Sequence, residues 1–144
     1  MLWRKQEKTI YNWILNERKG LMITGARQIG KTYIIRKVLK DNQCDFIEFN
    51  LIEQPEIINL LKAVENFDIQ KFISRLSLLT NHEMIPGKTI IFFDEIQEYK
   101  EIVTLLKFLV DEGSFKYILS GSLLGVELRN LRSAPVGYLQ IVNM

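Results

Sequence analysis

Short apolar runs alternate along the chain with segments in which apolar residues recur every three or four positions. Each run ends at glycines or charged residues and predicts a β-strand. The predicted strands are GLMIT at 20–24, CDFIEFN at 44–50, KTIIFFDE at 88–95, FKYILSGS at 115–122 and GYLQIVNM at 137–144. The periodic segments predict helices over residues 2–17, 32–40, 55–64, 68–80, 101–113 and 123–132.

This alternation predicts the fold class. Strands that alternate with helices pair in parallel, because a right-handed helical crossover brings the chain back in the same direction. The sequence therefore predicts an α/β protein in which helices cover both faces of a parallel five-stranded sheet. The chain has 144 residues and shows neither an internal repeat nor a linker, so we expect a single domain over residues 1–144.

The amino-acid composition argues against several classes of function. Hydrophobic residues make up 47% and charged residues 25%, which is an ordinary globular balance, and the net charge is only +2. That charge is too small to indicate nucleic acid or an anionic membrane, and no basic stripe interleaved with aromatic residues appears. No apolar run reaches the roughly 20 residues that span a bilayer. The one cysteine, Cys44, excludes an internal disulfide, so we expect a cytoplasmic protein.

The segment GARQIGKT, from Gly25 to Thr32, matches the pattern G-x-x-x-x-G-K-T between a predicted strand and a predicted helix. In such a loop the backbone N–H groups point at phosphate oxygens, the lysine reaches the β- and γ-phosphates, and the hydroxyl binds Mg²⁺. The alternative is a turn that merely happens to be basic. We predict nucleotide binding by a set of six residues: Gly25, Gln28, Ile29, Gly30, Lys31 and Thr32.

The second motif is IIFFDEIQ, an apolar strand that ends at Asp94 and Glu95. Open α/β sheets bind ligands at the carboxyl ends of their strands, so both carboxylates are expected at the ligand edge. Asp94 is predicted to hold Mg²⁺ with Thr32, and Glu95 to take a proton from an attacking water. The alternative is that both acids only end the strand and cap the following helix.

A third motif, LSGS, ends the strand that contains Ser120 and Ser122. If this strand lies between the two motif strands, one serine lies near the γ-phosphate and orients water. We prefer Ser122 for this catalytic role. The alternative is that hydroxyl residues are simply common where strands end.

These three motifs, in this order and spacing, resemble the AAA-superfamily ATP-binding proteins of bacteria and archaea. The first two correspond to the Walker A and Walker B motifs of P-loop NTPases, and the DE pair resembles the additional-strand, catalytic-glutamate branch. The resemblance covers nearly the whole chain and implies a three-layer α/β/α sandwich with strand order 5-1-4-3-2. Family members continue into a helical lid and further domains, so the chain resembles their N-terminal ATPase core.

The sequence departs from this family before the fifth strand, where many relatives carry a Gly-Arg pair and this chain reads RSAPVGYLQ. Arg129 and Arg132 lie nearby, and we interpret them as solvated charges on a helix. Elsewhere, Trp13 is interpreted as a core residue rather than an adenine platform. His82 is interpreted as a loop residue without a partner at catalytic spacing.

We therefore expect an Mg²⁺-dependent ATPase that binds ATP and ADP, with low turnover in the isolated chain. The alternative is a nucleotide-controlled switch or interaction module that binds ATP or ADP with little turnover, and a small-molecule kinase ranks third. No N/T-K-x-D signature for guanine appears, which favours adenine. The apolar fifth strand predicts self-association through the sheet edge, because it lacks the lysine or proline that discourages edge pairing.

Overall fold

A computed structural model describes residues 4–25, 30–62, 68–99, 101–122 and 137–144. Its helices are α1 (Arg4–Asn16), α2 (Lys31–Asp41), α3 (Pro55–Lys62), α4 (Ile69–Leu78) and α5 (Glu101–Glu112). Its strands are β1 (Gly20–Thr24), β2 (Phe46–Asn50), β3 (Ile90–Asp94), β4 (Lys116–Gly121) and β5 (Leu139–Asn143). A 3₁₀ turn, Ile96–Glu98, follows β3. The helix predicted over 123–132, with Arg129 and Arg132, lies outside the described residues.

All five strands join one sheet in the order β2-β3-β4-β1-β5, and every neighbouring pair is parallel. This is the order 5-1-4-3-2 read from the other side, so the fold class and the strand order implied by the resemblance are confirmed. The strand β4 lies between β1 and β3 and thus separates the strands that carry the first two motifs.

Burial along the strands follows their place in the sheet. Every residue of β1 and β3 is buried, which is typical of central parallel strands covered on both faces. In β2, at one lateral edge, buried and half-buried residues alternate. The other lateral edge is β5, whose residues are half-buried until the exposed Asn143.

Side chains alternate between two cores because successive strand residues point to opposite faces. In β3, Ile91 and Phe93 join a core that also contains Phe72 of α4 and Leu106 of α5. Ile90, Phe92 and residues of α1 and α2 form the second core. Trp13 of α1 belongs to this second core and is fully buried, as its interpretation as a core residue requires.

The predicted strand 44–50 begins two residues late, at Phe46. The reason is the turn that ends α2: Gln43 has a left-handed φ of 51°, and the Cys44 N–H donates to the Leu39 carbonyl at 2.9 Å. Cys44 is therefore a half-buried turn residue and not the first residue of a strand. The other predicted elements differ by a few residues at their ends. Within the described residues no helix has the length and apolar character needed to cross a membrane.

Candidate functional site

The three motifs meet at the carboxyl edge of the sheet. Since all strands run in parallel, Thr24 at the end of β1, Asp94 at the end of β3 and Gly121 at the end of β4 lie along one edge. This is the edge at which open α/β sheets bind ligands. The fold therefore brings the three motifs together although they are far apart in sequence.

The first motif turns sharply into α2. Gly30 has φ 87° and ψ 17°, a left-handed conformation that glycine adopts without the penalty other residues carry, and α2 begins at the next residue. The first-turn N–H groups of a helix have no partner within the helix and bind anions readily. The predicted nucleotide-binding residues Gln28 and Ile29 lie outside the described residues.

The Lys31 side chain reaches back to Gly25, the first residue of the motif. Its ammonium Nζ donates a hydrogen bond to the Gly25 carbonyl at 3.1 Å, and the residue is only 8% exposed. A buried ammonium is unfavourable unless hydrogen bonds or charges compensate it. This contact connects the first residue of the motif to the lysine that the sequence predicts to bind phosphates.

Thr32 and Asp94 connect the first two motifs directly. The Thr32 hydroxyl donates to Asp94 Oδ2 at 2.7 Å, and the Asp94 side chain is almost fully buried, with 3% exposure. Burial raises the pKa of Asp94, the negative charges of Glu95 and Glu48 raise it further, and the Thr32 hydroxyl and the Glu95 N–H oppose this shift. The folded protein thus disfavours the charged form of this carboxylate.

This donor set fits a magnesium ion. Mg²⁺ prefers oxygen ligands, keeps several waters and takes only one or two protein carboxylates. The Thr32 hydroxyl and the buried Asp94 carboxylate meet that requirement. Among the residues that the structure describes, no group of three or more His, Cys, Asp or Glu side chains could hold a metal ion.

Glu95 has a strained backbone. Its φ of 59° and ψ of 45° are left-handed, a conformation that costs a residue with a Cβ about 1–2 kcal/mol. Its N–H donates to Asp94 Oδ1 at 2.9 Å. Glu95 precedes the 3₁₀ turn, but its side chain makes no capping hydrogen bond there, which disfavours the alternative that this acid only caps a helix.

The two serines of the third motif differ in their surroundings. Ser120 is fully buried, and within the described residues its hydroxyl has no hydrogen-bond partner. Ser122 follows the end of β4 and is half-buried at the carboxyl edge. Ser122 therefore lies at the same edge of the sheet as Asp94, and its role stays a prediction.

Sequence reasoning gave no role to Gln97, the last residue of the second motif. Its side-chain Nε2 donates to Glu95 Oε2, and its Oε1 accepts the Ser122 N–H at 3.2 Å. The only sequence cue was its position two residues after Glu95 in IIFFDEIQ, which defines no known chemistry by itself.

Comparison with known proteins agrees with this fold. The model of the AAA domain family matches residues 17–144, so the chain belongs to that family. No curated protein sequence matches the chain significantly.

Two solved structures have the same fold. The Walker-type ATPase paby2304 of Pyrococcus abyssi is 20% identical with a TM-score of 0.59, and the match covers 98% of this chain and 53% of that one. The crystal structure of Saccharomyces cerevisiae RIF2 is 14% identical with a TM-score of 0.59, and the match covers 98% and 54%. The chain thus spans about half the length of both structures, which at these identities show the fold alone.

Proposed function

We propose that this chain is the nucleotide-binding core of an Mg²⁺-dependent ATPase. The observation that carries the proposal is the hydrogen bond from Thr32 to Asp94, which joins the loop predicted to bind phosphates to the acid predicted to bind Mg²⁺. The raised pKa of that buried acid adds support, because a bound cation would favour the charged form that burial disfavours. Membership of the AAA domain family supports the same class of function.

The roles follow from where the groups lie. Phosphoryl transfer depends on positioning and charge neutralisation more than on covalent chemistry by the protein. Lys31 and the amides around Gly30 would hold the β- and γ-phosphates, with Gly25, Gln28 and Ile29 completing the loop. Thr32 and Asp94 would hold Mg²⁺, which supplies positive charge at the phosphate oxygens.

The remaining groups act on water. Glu95 would accept the proton of the attacking water, and Ser122 at the end of the neighbouring strand would orient that water. Glu95 is suited to this role because it directly follows the acid proposed to bind Mg²⁺, its charge acts on that acid, and its side chain does not cap the 3₁₀ turn. Its strained backbone also agrees with a functional position, since such strain concentrates at active sites.

We further propose that residues 1–144 act as one domain, that ATP is preferred over GTP, and that the chain works in the cytoplasm. The single five-stranded sheet supports the first point. The absence of a guanine-reading signature supports the second, and the single cysteine agrees with a reducing compartment.

Phosphate release and nucleotide binding, measured on the same protein, test the proposal. We expect Mg-ATP to raise the Tm and to be hydrolysed, GTP to bind less well, and EDTA to abolish turnover. Binding without hydrolysis would indicate the nucleotide-controlled switch instead. No Tm shift with Mg-ATP at millimolar concentration would contradict nucleotide binding altogether.

A further inference from the structure

The side chain of Gln97 bridges two motifs of the site. Its Nε2 donates to the Glu95 carboxylate, and its Oε1 accepts the Ser122 backbone N–H at 3.2 Å. The orientation of this amide is fixed by its partners, because a carboxylate only accepts and a backbone N–H only donates. One neutral side chain therefore connects the carboxylate after β3 to the end of β4.

A second, independent observation concerns Gly121, the last residue of β4. A Cβ at this position would lie 2.6 Å from Gln97 Oε1 and 3.0 Å from Ile96 Cγ1. The backbone of Gly121 is not left-handed, so its conformation does not require glycine. The missing side chain instead makes the space in which the Gln97 amide reaches the Ser122 N–H.

We propose that Gln97 is a positioning residue for Glu95. It holds one carboxylate oxygen of Glu95 at a fixed distance from the end of β4, so that the base and Ser122 keep one relative geometry. The Glu95 backbone is strained, and hydrogen bonds from Gln97 and to Asp94 compensate that strain. This inference rests on the proposed ATPase function, since it assigns the geometry of the base in that reaction.

Gln97→Glu separates the two hydrogen bonds of the bridge. The variant keeps the length of the side chain and an acceptor for the Ser122 N–H, but it replaces the donor to Glu95 with a second negative charge. Gln97→Met keeps the length and removes both hydrogen bonds. The matched control is Glu98→Gln, a change at an exposed residue of the same 3₁₀ turn.

We expect kcat for ATP hydrolysis to fall on the order of 10- to 100-fold in both Gln97 variants, the effect of losing a hydrogen bond to a charged group. The KM for ATP and the Tm shift caused by Mg-ATP should stay close to wild type, because the described hydrogen bonds of the Gln97 side chain go to Glu95 and Ser122. Glu98→Gln should behave like wild type in all three measurements. A wild-type kcat in Gln97→Glu would overturn the inference, and so would a parallel loss of kcat and nucleotide binding.

Gly121→Ala tests the same contact from the other side. Its added methyl group should displace the Gln97 amide and lower kcat. In a Gln97→Met background the same substitution should lower kcat less, because the two residues share one contact. Equal effects in both backgrounds would contradict the proposed contact. The Tm without nucleotide identifies any variant that loses activity only because it unfolds.

The result for wild type distinguishes a failure of the positioning role from a failure of the proposed ATPase function. Hydrolysis by wild type with unchanged Gln97 variants would refute the positioning role and leave the ATPase function intact. Absence of wild-type hydrolysis would refute the ATPase function and, with it, the positioning role.

Discussion

Asp94 lies at the carboxyl ends of the sheet strands, whereas Asp45 lies at their amino ends, directly before β2. Burial raises the pKa of Asp94. The pKa of Asp45 is lowered, chiefly by the hydrogen bond from the Thr89 hydroxyl and further by His82 and Lys88, although burial opposes this. The folded protein therefore disfavours one aspartate charge and favours the other.

The difference lies in how completely each carboxylate is satisfied. His82 Nε2 lies 2.7 Å from Asp45 Oδ1, and the Thr89 hydroxyl donates to Asp45 Oδ2 while it accepts the Ile85 N–H at 2.8 Å. These contacts satisfy the Asp45 carboxylate within the protein and connect the loop before β2 to the loop before β3. At the other end, Asp94 accepts hydrogen bonds from the Thr32 hydroxyl and the Glu95 N–H, and these do not offset the effect of burial on its pKa. The hydrogen bonds at the amino ends thus favour the charge of Asp45, whereas the carboxyl ends hold the buried acid for which we propose a role in binding Mg²⁺.

The largest expected effect is at Glu95. Glu95→Gln keeps the size of the side chain but removes its ability to accept a proton, so hydrolysis should fall by roughly 10²–10⁴-fold. ATP affinity should stay similar. Asp45→Asn serves as the control at the opposite end and should leave kcat unchanged. Hydrolysis at the wild-type rate in Glu95→Gln would mean that this acid is not the base.

Lys31→Ala should abolish stabilisation by nucleotide. A ligand at 100 times its Kd stabilises the folded state by about 2.7 kcal/mol, which raises the Tm of a domain of this size by several degrees. Thermal shift with Mg-ATP measures this directly. A retained shift in Lys31→Ala would refute the role of the lysine, and loss of the shift in Asp45→Asn would break the contrast between the two ends.

Asp94→Asn and Asp45→Asn should have opposite effects on stability. At neutral pH the buried charge of Asp94 is unfavourable, so Asp94→Asn should stabilise the nucleotide-free protein by about 1 kcal/mol while it weakens the response to Mg-ATP. Asp45→Asn should destabilise the protein and leave that response intact. Denaturation with and without Mg-ATP measures both quantities, and effects of the same sign at both positions would contradict the comparison.

A smaller effect concerns pH. Because the folded-state pKa of Asp45 is lowered, its contribution to stability is present above the unfolded pKa, near 3.9, and is lost as the pH falls through the folded-state value. The free energy of unfolding of wild type should therefore exceed that of Asp45→Ala by about 1 kcal/mol at pH 7. This difference should shrink towards pH 3. Urea denaturation at a series of pH values tests this. A difference that does not depend on pH would exclude the carboxylate charge as its origin.

The smallest effect is expected at β5, a lateral edge that lies at neither end of the strands. If the chain associates through this edge, Val142→Lys should reduce association without changing nucleotide binding. Light scattering at high micromolar concentration measures it. If wild type is a monomer and Val142→Lys does not change the light scattering, this edge is already protected.

The sequence predicted the elements and the edge of the sheet that carries the motifs, because burial periodicity and local motifs are encoded over a few neighbouring residues. The strand order came only through the resemblance, since local patterns do not specify which strands pair. The contact of His82 with Asp45 was missed, because it joins two loops that are distant in sequence. The role proposed for Gln97 was missed for a similar reason. It depends on the space beside Gly121, which the spacing of residues in the sequence does not predict.

That space also restricts which substitutions evolution can accept in this fold. A relative with alanine or a larger residue at the position of Gly121 could not keep a glutamine amide at the position of Gln97 in the same place. The two positions are expected to change together across the family, with glutamine accompanied by glycine and larger residues accompanied by the loss of glutamine. The residues at these two positions would then show, from sequences alone, which family members retain this geometry around the glutamate.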